Sequence, residues 1–167
     1  MRKRKLSVPL SGPGIKAAVA ELRAYSASLD GKADRLCERL AEEGVNAAVA
    51  AVRVDTGNLR DGIYYQRAGK GQFLVMSTGE YCWFVEFGTG VVGQGTYEGN
   101  LPESWSYDER RTPEAHDPND PTRWFYYDDK DGGLRSTRGQ TANGYMAQAA
   151  EEMRQKVLRI AREVFAE

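Results

Sequence analysis

The chain has 167 residues, enough for one domain with a core of its own. Hydrophobic residues make up 41% and charged residues 28%, an ordinary balance for a soluble globular protein, and no apolar run approaches the ~20 residues of a membrane helix. The formal net charge of −1 offers no global basic field for nucleic acid, which leaves only local patches open.

The start, Met1-Arg2-Lys3-Arg4-Lys5, reads as a solvated tail rather than a binding arm. Leu6 to Pro13 is too short and too broken for the apolar region of a signal peptide, so a cytoplasmic chain is expected. Residues 1–14 therefore read as a flexible lead, with Pro13 or Gly14 opening a helix. Ile15, Val19, Leu22 and Leu29 share one face, and Asp30-Gly31 is expected to break the helix. A second amphipathic helix follows from near Ala33, striped by Leu36, Leu40, Ala47, Ala51 and Val54. Gly44, Ala47, Ala48 and Ala51 leave room there for another backbone.

From residue 61 the period changes to that of strands. Ile63–Arg67, the turn Ala68–Gly71 and Phe73–Ser77 form an expected β-hairpin. The run Tyr81-Cys82-Trp83-Phe84-Val85-Glu86-Phe87 fits a buried strand or a short helix, because periodicity does not decide so short a run. Residues 88–121 are rich in Gly and Pro and more acidic than basic. They read as a long irregular loop, functional or ordered on assembly. Thr122–Tyr127 and Leu134–Thr137 read as a second hairpin. Met146, Ala150, Met153, Val157, Ile160 and Val164 mark a final helix with Asn143 as its N-cap. The expected fold is α+β: an antiparallel sheet of about four to five strands packed against a long N-terminal helix and a C-terminal helix. Residues 15–167 form the single domain, with an extended loop at 88–121.

Residues that could carry chemistry are few. Cys37 and Cys82 form no CxxC pair and read as reduced thiols. His116, the sole histidine, has no patterned ligand partners, so no metal site is expected. Gly88-Thr89-Gly90-Val91-Val92-Gly93 lacks the strand–turn–helix setting of a dinucleotide loop, so no cofactor is expected either. Asp128 to Gly133 has the composition of a solvated turn. Glu86, alone among aromatics, reads as a structural partner that fixes the Gly88-Thr89-Gly90 turn or a subunit contact, since no second catalytic group accompanies it. The aromatic runs lack interleaved Lys or Arg for stacking bases. Core packing or an intersubunit surface accounts for them better, and Trp105, Tyr107, Trp124 and Tyr126 are the candidate assembly contacts.

Three blocks carry a resemblance. Val54-Asp55-Thr56-Gly57-Asn58-Leu59-Arg60-Asp61-Gly62-Ile63 is similar to the "VDTG.LR.SI" motif of the HK97 gp10-like family of phage proteins, with Gly62 where Ser is common. Tyr81 to Gly90, with Val85, Glu86, Gly88 and Thr89, resembles that family's "YA.YVE.GTG" block, with Cys82 in place of Ala. Thr137-Arg138-Gly139-Gln140 through Tyr145-Met146 resembles the family's "TRGQ…PFM" lead into the last helix, with Asn143-Gly144-Tyr145 replacing Pro-Phe. The resemblance implies a head–tail joining or tail-completion protein, a ring subunit between portal and tail tube. Its implied partners are further copies of itself, adaptor or stopper proteins of the neck, and the tail terminator or tail tube. DNA would pass through the lumen without sequence-specific binding. The implied setting is the host cytoplasm and then the virion neck or tail. A tail terminator, and from a different class a small enzyme or nucleic-acid-binding module, are the alternatives. The last of these predicts clustered catalytic groups or a basic face.

Physically, Asp55 or Thr56 can cap backbone groups where the helix stops, and Gly57 can take positive φ. Leu59 and Ile63 re-enter the core, and Arg60 is placed to pair with an acid such as Glu86.

Overall fold

One helix, α1 (Gly12–Ala51), stands where two were expected. The computed structural model describes Pro9 and residues 11–53, 57–107, 115–128 and 132–166. Ser11 caps α1 by accepting from the Gly14 amide at 3.2 Å, so the helix begins within the segment expected as lead. Asp30-Gly31 does not break it. Gly31 keeps a helical backbone without positive φ, and the helix is held across this point by the tip of a hairpin. Lys70 pairs with Asp30, Arg67 pairs with Asp34, and the Gly71 amide donates to Asp34 at 2.7 Å. A glycine costs a helix only ~1 kcal/mol, which these contacts offset.

That hairpin is β1 (Ile63–Gly69) and β2 (Gln72–Ser77), antiparallel with Tyr65 opposite Val75 and a bulge near the turn. A four-residue helix, α2 (Asn58–Asp61), leads into it. Ile63 is buried and Tyr65, Phe73 and Val75 are half-buried, while Tyr64 and Leu74 are exposed. The half-buried face lies on α1, where a Cβ at Gly44 would stand 3.0 Å from Val75.

The C-terminal helix α5 (Tyr145–Ala166) lies antiparallel on α1. Gly44 admits Met153, and Lys156 and Arg159 both reach Glu43. Arg39 meets Glu163 near the end of α5. Ala48, Val52, Ile63, Tyr145 and Ala149 close the core where α1, β1 and α5 meet.

The single central sheet is replaced by two. The second contains β3 (His116–Asp117), β4 (Asp120–Asp128) and β5 (Gly133–Thr137) in that order, all antiparallel. Two short helices, α3 (Cys82–Phe87) and α4 (Gly90–Gly93), follow β2 in the chain ahead of β3. This settles the ambiguous run 81–87 as a helix. Its large residues spread around all sides, with Cys82, Glu86 and Phe87 buried and Tyr81, Trp83 and Phe84 exposed.

Candidate functional site

The second and third family-like blocks, far apart in the chain, are joined in space. Thr89 and Gln140 exchange backbone hydrogen bonds at 2.9 and 3.2 Å in an isolated antiparallel bridge. The Asn143 and Gly144 amides donate to the Val85 and Glu86 carbonyls at 2.8 and 3.0 Å. The backbones pass so closely that a Cβ at Gly88, which has φ 79°, would stand 2.7 Å from the Ala142 nitrogen. Only glycine combines that approach with positive φ.

Glu86 sits at the centre of this junction and is buried. Its Oε2 accepts from the Met146 amide at 2.9 Å, and its Oε1 from the Ala147 amide at 3.1 Å and the Tyr97 hydroxyl at 3.2 Å. Met146 and Ala147 belong to the first turn of α5, whose amides have no partner within the helix. Glu86 is thus a carboxylate cap supplied by a distant element, placed at the positive end of the helix dipole. Burial raises the Tyr97 phenol above its ordinary pKa, and the adjacent Glu86 charge adds to this. Arg60 is exposed on α2 and does not hold Glu86, contrary to the expected pairing, because backbone and phenol donors occupy the carboxylate.

The cap expected at Asn143 is also reassigned. Its side-chain amide donates to the Ala51 carbonyl at 3.2 Å, closing the C-terminal end of α1. Its Oδ1 is buried without a hydrogen-bond partner. Tyr145, almost fully buried, donates to or accepts from Ser77 at 2.7 Å and so ties α5 to β2.

In the first block, Gly57 has the expected positive φ of 91° ahead of α2, and Leu59 packs against the core. Asp55 and Thr56, with their expected capping role, lie outside the described residues. Val85 packs against the core, Tyr81 is 68% exposed at the start of α3, and Gly90 opens α4 beneath the Trp124 ring.

The four candidate assembly contacts divide. Trp105 and Tyr107 are half-buried and packed in part on α3. Trp105 lies 5.1 Å from the Phe87 ring and 5.8 Å from Phe84, and the Tyr107 hydroxyl donates to the Phe87 carbonyl at 2.7 Å. Tyr97 adds an edge-on contact to Phe87 at 4.9 Å. Tyr97, Trp105 and Tyr107 thereby bring this part of the expected loop against α3. Trp124 is half-buried beside His116 at 5.9 Å. Tyr126 does face outward, 46% exposed, next to Tyr127 at 63%. Trp83, 59% exposed, was not among the candidates, because an unplaced helix does not show which aromatics face outward.

Asp120 anchors the second sheet. It accepts from the Thr122 hydroxyl and from Arg138, and these bonds, Thr122 first, hold its pKa down at about 2. Among the described residues, no group of His, Cys, Asp and Glu is placed to hold a metal ion. No described helix is long and apolar enough to cross a membrane. Cys37 and Cys82 are both free thiols.

Residues 16–88 match the family model HK97-gp10-like, described as "Bacteriophage HK97-gp10, putative tail-component". No curated protein and no solved structure matches the chain. The match contains the block at Val54–Ile63 and, of the block Tyr81–Gly90, all but its last two residues, and stops before the third. Over residues 16–88 the chain is similar to this family, which is described as a putative phage tail component.

Proposed function

We propose that the chain is a structural morphogenesis protein of a tailed phage or prophage, a ring subunit of the head–tail connector or tail-completion complex, and not an enzyme. The family match over residues 16–88 carries this reading. The use of the buried carboxylate Glu86 supports it: its oxygens are spent on backbone amides and a phenol rather than poised against a second reactive group. Outward aromatics on two elements, Trp83 on α3 and Tyr126 and Tyr127 on β4, suit assembly faces. A ring needs two different faces that fit each other, and these elements lie on separate parts of the chain. The partners are neighbouring copies, an adaptor or stopper protein, and a tail terminator or tail tube, with DNA passing unread through the lumen. The protein acts in the host cytoplasm during assembly and in the virion neck or tail afterwards.

The test is negative-stain microscopy and light scattering of the purified chain, alone and mixed with the neck and tail proteins encoded beside it. Closed rings, or a stable complex with one of those proteins, are expected. A chain that forms no closed ring and binds none of them sinks the reading.

A further inference from the structure

The longest element of the fold is covered along only part of its length. At 40 residues α1 is about 60 Å long, against about 33 Å for the 22 residues of α5. Because Arg39 of α1 already meets Glu163 of α5, the first half of α1 runs on past the end of its partner. There Ile15, Val19, Leu22 and Leu29 are 36 to 56% exposed on one face. Their spacing of four, three and seven continues through Leu36 and Leu40 toward the face that α5 covers, with Ser26 and Ala33 filling the remaining places. An alternation of four and three sustained over this distance suits the seam of one helix against another.

The charges beside the seam select the second helix and its direction. One flank carries Lys16, Arg23 and Asp30, and the other Ala18, Tyr25 and Lys32. Two copies in parallel would set Ala18 beside Arg23, Tyr25 beside Asp30 and Lys32 beside Cys37, with no opposite charges paired. Two copies in antiparallel order layer Val19 on Leu29, Leu22 on Ser26 and Ile15 on Ala33. That register sets Lys16 of each helix beside Asp30 of the other and brings the two Tyr25 rings together at the axis. Its one like-charged meeting is Arg23 with itself, on side chains long enough to splay into solvent. Asp30 reaches Lys70 within its own chain through Oδ2 and stays 55% exposed, so it can accept a second cation.

We propose that the exposed half of α1 pairs with the same segment of a second copy, antiparallel about a two-fold axis, with Lys16 against Asp30 at both ends. A two-fold contact closes on itself and cannot propagate around a ring. It is therefore separate from the assembly faces proposed above and does not depend on them.

Sedimentation equilibrium of the full chain tests this. The wild type should show a monomer–dimer equilibrium. Lys16→Glu or Asp30→Lys alone should weaken it about tenfold, because each turns two attractions into repulsions. An equimolar mixture of the two variants should recover wild-type association, since each supplies the charge the other lacks, and so should the double variant. Lys16 is exposed and pairs with nothing among the described residues, so Lys16→Glu should leave circular dichroism unchanged, while Asp30→Lys also gives up the Lys70 pair and is judged by the rescue in the mixture. A wild type that stays monomeric at every concentration overturns the proposal. So does a dimer indifferent to both exchanges, or one that the mixture fails to restore. Charge rescue supports it whether or not rings ever form.

Discussion

Glu86 faces three donors and no cation: the Met146 and Ala147 amides and the Tyr97 hydroxyl. Removing it by Glu86→Ala takes the acceptor from all three, and strands the Met146 amide and the Tyr97 hydroxyl in half-buried surroundings. At ~1 kcal/mol for a lost helix cap and 1–3 for stranded donors, the expected loss is about 2–4 kcal/mol in urea unfolding. Glu86→Gln should lose less, since one oxygen still accepts. Arg60→Ala, on the exposed face of α2, should change stability by no more than about 0.5 kcal/mol. The Arg60→Ala, Glu86→Ala double variant should be additive, and a coupling above ~0.5 kcal/mol would reinstate the ion pair between them. The importance of Glu86 was legible as a lone carboxylate in an apolar run. Its partner was not, because backbone amides leave no mark in a sequence. Local capping rules pointed instead to Asn143, two residues before the helix, whose side chain closes α1.

At the scale of elements, α1 shows how a local breaker yields to tertiary contacts. Asp30-Gly31 has the composition of a turn, yet the apolar spacing on either side stays in phase from Leu22 to Leu29 to Leu36. That phase was present in the sequence and favoured one helix. What could not be read was the hairpin tip placing Lys70 and Arg67 on Asp30 and Asp34. Gly31 has nothing within 4 Å of the place its Cβ would occupy, and its φ is not positive. Gly31→Ala should therefore stabilise the chain by about 0.5–1 kcal/mol, through a lower entropy of the unfolded state and a better helix propensity. Thermal unfolding followed at 222 nm would measure it, and a lower Tm would mean that the helix is interrupted there after all. The hairpins were legible for the opposite reason: their alternation and turn residues are local. The division into two sheets was not, since it depends on whether residues 81–87 coil or extend.

The molecule as a whole has a helical layer with one hairpin and, apart from it, the β3–β4–β5 sheet. The first is cemented by α1, α5 and β1 around Ala48, Ile63 and Tyr145. The second packs chiefly on itself, with Tyr126, Tyr127 and Leu134 largely in solvent. Among the described residues it is tied to the rest at a latch where Thr89 pairs with Gln140, flanked by Gly139. A Cβ at Gly139, which has φ 111°, would collide with the Thr89 carbonyl. Gly139→Ala should thus open the latch while leaving the helical layer intact. Elements with few buried apolar contacts open below the global unfolding energy, so the sheet should lose protection selectively. Native-state hydrogen exchange would show this as faster exchange of β4 and β5 amides, with α1, α5 and β1 unchanged. Uniform acceleration across all elements would mean that the sheet and the helices unfold as one unit. Selective loss would mean that β4, with its outward tyrosines, is an arm that can shift against the helical layer when a neighbour binds it.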